Sequence, residues 1–250
     1  MKGQKRVHIL GSNLDLLTMQ ETLAHIEILI ESRVPTQHVV INASKINIMQ
    51  RDAMVQKIVN DSALINVDGQ SIIWAARMLG YSIPERVTGI DLFQELVKKS
   101  EKKGWRVYYF GATEDVVRRV VAMHQKEYPN LKVAGFRSGY FDESESIKIA
   151  EEIKRSQTDV LFVAFSSPKK EIWIHNYQLI MQVPFAMGVG GSFDILAGKT
   201  KRAPEWMQKK GLEWLYRFLQ EPKRMFRRYM IGNILFVKLT LQEKRKKKWS

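Results

Sequence analysis

The order of its apolar segments is what most limits how this chain can fold. From residue 7 to about 190, short runs rich in β-branched and aromatic residues alternate with longer stretches of helical periodicity. The strand candidates are Val7 to Leu10, His38 to Asn42, Leu64 to Asp68, Trp105 to Gly111, Leu131 to Phe136, Val160 to Phe165 and Pro184 to Val189. The stretches between them carry helix boundary signals. Thr18 with Glu21 three residues later is a capping-box pattern, Thr113-Glu114-Asp115 sets acidic residues in a first turn, and Gly104 closes the Lys-rich helix before Trp105. Strand and helix in strict alternation imply a mostly parallel sheet with helices on both faces, an α/β fold that is Rossmann-like in the broad sense.

In open sheets of this kind ligands bind beyond the carboxyl ends of the strands. The residues just after the apolar runs are polar and glycine-rich: Asn42, Asp68-Gly69-Gln70, Gly111-Ala112-Thr113, Ser166-Ser167-Pro168-Lys169-Lys170-Glu171 and Gly188-Val189-Gly190-Gly191-Ser192. After Gly198 the alternation stops and only helical patterning remains. One helix is expected from Pro204 through Arg217 to Gln220, then a break at Glu221-Pro222 and an amphipathic stretch from Lys223 to Leu241. The chain therefore reads as an α/β unit over residues 1–198 and a basic helical appendage over residues 199–250.

Charge follows the same division. Of the net +14, residues 199–250 hold +12, from sixteen Lys/Arg against four Glu. A one-ended basic segment reads as a footprint for nucleic acid, anionic lipid or a phosphorylated substrate. Cysteine is absent and the five histidines show no metal-site spacing, which argues against disulfides, a Cys-held zinc, a thiol nucleophile or a His-held metal. The basic N-terminus leads into an apolar run interrupted by Gly11, Ser12, Asn13 and Asp15, unlike a secretory signal. No stretch approaches the roughly 20 apolar residues of a membrane-spanning helix.

Each candidate for chemistry has a plain structural alternative. Asp68, ending an apolar strand before Gly69, stands where a general base is held over a ligand crevice, or it caps the helix that starts near Gln70. In Arg86-Val87-Thr88-Gly89-Ile90-Asp91 the guanidinium suits a diphosphate, while Thr88 and Asp91 equally suit a loop-to-helix cap. Gly188, Gly190 and Gly191 resemble a phosphate-cradling turn, but the third glycine of a dinucleotide fingerprint is replaced by Phe193, and no Walker lysine motif is present. The appendage arginines, interleaved with Trp214, Tyr216, Phe218, Phe226 and Tyr229, form a solvated face, a bilayer-interface helix or a nucleic-acid surface. The density of Met, Ile, Leu and Phe favours the bilayer, and no recognised nucleic-acid motif is found.

Taken in order, these motifs resemble the bacterial WecG/TagA/CpsF family, glycosyltransferase family 26, between about Val39 and Arg228. The resemblance rests on Asn42, Val67-Asp68-Gly69, Arg86 to Asp91, Phe110-Gly111, and Ser167-Pro168-Lys169 with Glu171. It continues through Gly188 to Gly191 with Phe193-Asp194, Ala197-Gly198, Lys201 to Pro204, Glu213 to Arg217, Glu221-Pro222 and Arg224. It implies an inverting, metal-independent transfer of a hexose or N-acetylhexosamine such as N-acetylmannosamine. The donor is a UDP-sugar, a substrate rather than a cofactor, and the acceptor is a polyprenyl-diphosphate-linked sugar of teichoic acid, capsule or exopolysaccharide synthesis. The enzyme would be cytoplasmic, at the inner face of the plasma membrane and its anionic surface, with no nucleic acid as partner and a homo-oligomer left open.

By that resemblance Asp68 is the general base and Arg86 acts beside it, while Asn42, Gly69, Gln70, Thr88, Asp91, Gly111, Ser167, Lys169, Lys170, Glu171, Gly188, Gly190, Gly191 and Asp194 form the substrate set. Arg217, Arg224 and Arg227 of the appendage close over the site. Two positions depart from the family pattern. Val40 stands where Thr is common, and Lys170 replaces the Gln of a Pro-Lys-Gln-Glu motif, a charge suited to a carboxylated sugar or an added phosphate contact. These departures also motivate an alternative, a catalytically weakened scaffold in a polysaccharide-assembly complex.

Overall fold

A computed structural model describes residues 6–226 and 230–248. Its strands are β1 (Arg6–Ile9), β2 (Ser12–Asp15), β3 (Thr36–Ile41), β4 (Leu64–Val67), β5 (Arg106–Gly111), β6 (Lys132–Arg137), β7 (Val160–Ala164) and β8 (Phe185–Gly188). The helices up to the last strand are α1 (Met19–Glu31), α2 (Ala43–Met49), α3 (Ala53–Asn60), α4 (Gln70–Met78), α5 (Gly89–Lys103), α6 (Glu114–Glu127), α7 (Ser146–Arg155) and α8 (Lys169–Met181). After β8 come α9 (Ser192–Leu196), α10 (Glu205–Lys209), α11 (Glu213–Gln220), α12 (Pro222–Phe226) and α13 (Gly232–Lys248).

Six strands form one parallel sheet in the order β4-β3-β8-β7-β5-β6, the α/β architecture expected from the alternation. Period-two alternation sends successive side chains of β5 to opposite faces. Val107 and Tyr109 join Phe93, Val117 and Phe162 in one core, whereas Tyr108 and Phe110 join Ile149, Trp173 and Ile174 in another. Both faces are thus covered, which explains why the strands read as continuous apolar runs. The expected helix signals are in place: Thr18 and Glu21 form a complete capping box, and Gly104 closes α5 in the left-handed conformation.

Two expectations need correction. The first predicted strand does not join the parallel sheet; β1 pairs antiparallel with β2, inside the segment read as an interruption. Ser12 and Asn13 are turn-like residues, but the docking of this hairpin decides their state. Asp15 is buried, bound by Arg6, and accepts the Ile65 backbone N–H at 2.8 Å, so the hairpin covers the edge strand β4. The single helix expected from Pro204 to Gln220 is two, α10 and α11. Gly211 between them adopts φ +71°, a left-handed backbone that ends a helix.

Position in the sheet creates the crevice. Strands β3 and β8 are neighbours, yet the chain after β3 leads to the β4 edge and the chain after β8 leads into the C-terminal helices. Their diverging continuations leave space beyond their carboxyl ends. The appendage folds back over that space. Helix α13 lies along α2, burying Phe236 and Thr240, and Phe236 shares a core with Ile46, Met49 and Ala76. Asn47 donates to the Gly232 carbonyl at 2.7 Å, and Glu243 accepts the Leu10 N–H at 2.8 Å.

Candidate active site

A cavity of about 1170 Å³ occupies the crevice, bounded by the loops after β3, β4, β7 and β8 on one side and by the appendage on the other. Asp68 lines it, one residue beyond β4. Its backbone N–H is fixed to the Ile41 carbonyl at 3.0 Å, as is that of Gly69 at 3.2 Å, so the end of β3 holds the Asp68 loop rigidly. The N-cap of α4 is Gly69, without a side-chain cap bond, so the Asp68 carboxylate does not serve as that helix's cap. Its Oδ2 instead lies 3.9 Å from where a Cβ on Gly89 would stand, beside the first turn of α5. Burial pushes the Asp68 carboxyl up; the positive charges of Arg86, Arg217 and Lys170 oppose that rise, and Glu213 adds to it. A carboxylate held at such a place, with its proton affinity increased, is suited to accept a proton from a hydroxyl.

Arg86 lines the cavity through the loop before α5, and its Nη2 donates to the Gln208 carbonyl at 3.2 Å and pairs with Glu213 at 3.1 Å. Thr88 is the N-cap of α5, accepting from the Asp91 N–H at 3.3 Å, so the capping reading of this motif holds. Asp91 is outside the cavity lining and is gripped by Arg202 through both nitrogens of its fork, at 2.6 and 2.9 Å. Arg202 Nε is 3.5 Å from Glu213 as well. Asp91, Arg202, Glu213 and Arg86 therefore form one charge chain running from α5 through the appendage to the cavity wall.

The glycine turn after β8 is built around Lys170. Its stem crosses Gly188 so closely that a Cβ there would lie 2.7 Å from Lys170 Cδ; only glycine leaves room for it. Lys170 Nζ reaches beneath Gly190 and lies 3.8 Å from Glu171. Glu171 is 2% exposed, paired with Lys45 and accepting from Ser167 Oγ at 2.7 Å. Burial would raise its carboxyl, but Lys45, Lys170 and those hydrogen bonds bring it down to about 2. Lys170 is thus a second cation beside Glu171, and it lines the cavity floor. Val40 lines the same floor, its methyls 3.7 and 3.9 Å from the Cβ position of Gly89.

Of the residues singled out in the sequence, Asn42, Asp68, Gly69, Gln70, Arg86, Thr88, Ser167, Lys170, Gly188, Gly190, Gly191, Asp194 and Arg217 converge on the cavity. Asp91, Gly111, Lys169 and Glu171 do not line it. Gly111 is seated against the β7 backbone, where a Cβ would meet Ala164 at 2.8 Å. Lys169 lies over the rings of Phe141 and Phe165, 5.1 and 5.4 Å from their centres. Arg224 falls within α12, and Arg227 lies outside the described residues. Among the described residues no group of three or more His, Asp or Glu is arranged to hold a metal ion.

The sequence profile of the Glycosyl transferase WecG/TagA/CpsF family matches residues 7–250. The chain belongs to that family. Its relatives include the N-acetylglucosaminyldiphosphoundecaprenol N-acetyl-beta-D-mannosaminyltransferase of Bacillus subtilis (strain 168), 36% identical over 191 residues, which are 76% of this chain and 73% of the relative. The enzyme of the same name from Bacillus spizizenii is 31% identical over 190 residues, 76% of this chain and 72% of that one. Family membership makes the chain a glycosyltransferase, and the cavity is where its strand ends and its appendage meet.

Three residues with clear parts in this geometry had no role assigned from sequence. Glu213 and Arg202 stand inside recognisable motifs, but what they bind is set by the fold of the appendage. Lys45 lies one helical turn past Asn42, and its partner Glu171 is 126 positions away, so no local pattern could pair them.

Proposed function

We propose that the protein transfers an N-acetylhexosamine, of the N-acetylmannosamine type, from a UDP-sugar to a sugar carried on a polyprenyl diphosphate, with inversion and without a metal ion. The relatives' printed names supply the acceptor and the sugar. The observation that carries the reading for this chain is Asp68, a half-buried carboxylate of raised proton affinity on the wall of a large cavity and in the field of Arg86, Arg217 and Lys170. Asp68 takes the proton of the acceptor hydroxyl as that oxygen attacks the anomeric carbon. The C–O bond to the UDP oxygen breaks on the opposite side, and its electrons stay on the diphosphate. Arg217, Lys170 and the backbone of Gly190 and Gly191 are the groups placed to stabilise that charge.

The basic, half-exposed helices of the appendage favour work at an anionic membrane surface on the cytoplasmic side, where each lysine or arginine near the surface contributes about 1 kcal/mol. Among the described residues no helix is long and apolar enough to cross a membrane.

Replacing Asp68→Asn is expected to lower the transfer rate about 10²- to 10⁴-fold with an unchanged melting temperature. In the parent enzyme the acid limb of kcat/KM should lie above the ordinary aspartate range, because the base form of Asp68 is populated only above its raised pKa. A chelator should leave the rate as it was. Retained activity in the Asn variant, or loss on chelation, would overturn the mechanism.

A further inference from the structure

The cavity continues beyond the groups used by this chemistry, and its far part has a different character. Helices α4 and α13 supply two of its walls. On α4 the residues turned to the cavity include Gln70, Trp74 and Met78; on α13 they include Asn233, Val237 and Leu241. The spacing of four keeps each set on one helix face. Both sets begin with an amide and continue into large apolar side chains, and Gln70 immediately follows the Asp68-Gly69 loop. Along α4 polarity therefore falls from Gln70 and Ser71 to Trp74, Ala75 and Met78, and the α13 wall facing it is mostly apolar.

These apolar side chains are not core residues. Trp74 is 54% exposed, Met78 45%, Val237 54% and Leu241 44%, although all four line the cavity. Leaving such side chains hydrated is costly, and a cavity built only for a nucleotide and two sugars has no use for them. Beyond Met78 the gutter ends at a basic rim. Lys247 donates to the Leu79 carbonyl at 3.4 Å and lies 3.9 Å over the Tyr81 ring, with exposed Lys244, Arg245 and Lys246 on the same turns of α13.

We propose that the gutter between α4 and α13 binds the first isoprene units of the acceptor's lipid carrier, which rests on the lipid-linked acceptor proposed above. The acceptor sugar sits by Asp68, the diphosphate follows it, and the prenyl chain runs over Trp74, Met78, Val237 and Leu241. It leaves past the Lys-rich end of α13, where cations meet anionic headgroups. Continuity with the catalytic cavity is what selects this occupant over simple insertion of the face into a bilayer. Ile234, 68% exposed on α13, is outside the cavity lining and serves as the contrasting bilayer-facing residue.

The test compares acceptors that share one sugar diphosphate but carry a methyl, geranyl or farnesyl group. In the parent enzyme KM should fall from methyl to farnesyl. In the double variant Trp74→Ser/Val237→Ser, KM for the farnesyl acceptor should rise about tenfold or more, with KM for the methyl acceptor and kcat for both unchanged. Sedimentation with phosphatidylglycerol vesicles should be unaffected in that variant and weakened in Ile234→Ser. A KM indifferent to chain length in the parent enzyme would overturn the gutter, as would an equal rise for methyl and farnesyl acceptors. So would loss of vesicle binding without a chain-length effect. Failure of every diphosphate acceptor, methyl included, would overturn the lipid-linked acceptor itself, a result distinct from the others because the gutter hypothesis alone predicts that the methyl acceptor still reacts.

Discussion

The two sides of the cavity hold charge in opposite ways. On the sheet side Lys45 of α2 and Glu171 of α8 are buried and meet directly, with Ser167 as a further partner of the carboxylate. On the appendage side Arg86, Glu213, Arg202 and Asp91 are a fifth to two-fifths exposed and linked across the boundary between the two parts of the chain. Charges of the first kind are expensive to separate because an unpaired buried ion has no water to replace its partner. Those of the second kind are partly hydrated and screened, so each link is weak and the chain of links can open. We propose from this difference that the sheet side is the rigid part of the site and the appendage the part that closes over the substrates.

The strongest way to break that division is to delete residues 199–250. This removes Arg217, Glu213 and one cavity wall, and transfer is expected to fall below detection while circular dichroism still reports the α/β core. A fully active truncation would show that the strand ends suffice.

Next in size is Lys45→Met, which leaves Glu171 buried with the Ser167 hydrogen bond and, among the described residues, Lys170 at 3.8 Å as its remaining cation. A loss of about 3–5 kcal/mol in chemical unfolding is expected. The sign of its pH dependence is fixed: with the folded carboxyl near 2 and the unfolded one near 4.5, the pair stabilises above 4.5, and that contribution is lost as pH falls toward 2. The variant should lack this acid-sensitive component. A loss under 1 kcal/mol would place Lys45 with the screened charges instead.

The smallest effect sharpens the appendage side. Glu213→Gln frees Arg86 from its ion pair and removes a negative charge that raises Asp68. We expect about a tenfold drop in kcat/KM, equivalent to ~1.4 kcal/mol, with little change in melting temperature. The acid limb of the pH profile should move to lower pH, since Asp68 then ionises more easily. An unmoved acid limb would separate Glu213 from Asp68.

What could be read without a structure follows the range of each interaction. Strand and helix alternation, the Thr18–Glu21 box and the Gly104 cap depend on neighbours a few residues apart, so the parallel α/β fold was legible from them. The convergence of Asp68, Gly188 and Lys170 followed from the rule that ligands gather at strand ends. The β1–β2 hairpin was not legible, because Ser12 and Asn13 become strand only when Asp15 docks on the β4 edge. Nor was the fate of Asp91, Lys169 and Glu171, whose partners Arg202, Phe141 and Lys45 lie on other elements.

Alone, then, the sequence determined the layer architecture, the position of Asp68 at a strand end and the concentration of +12 in the last fifth of the chain. Tertiary structure decided which polar groups face the cavity and which are consumed in ion pairs, how Glu213 joins Arg86 to Arg202, and that α4 and α13 face each other across an apolar gutter. The physical reason is separation along the chain: periodicity records which face of an element is apolar, while the identity of what that face meets exists only once distant segments are packed together.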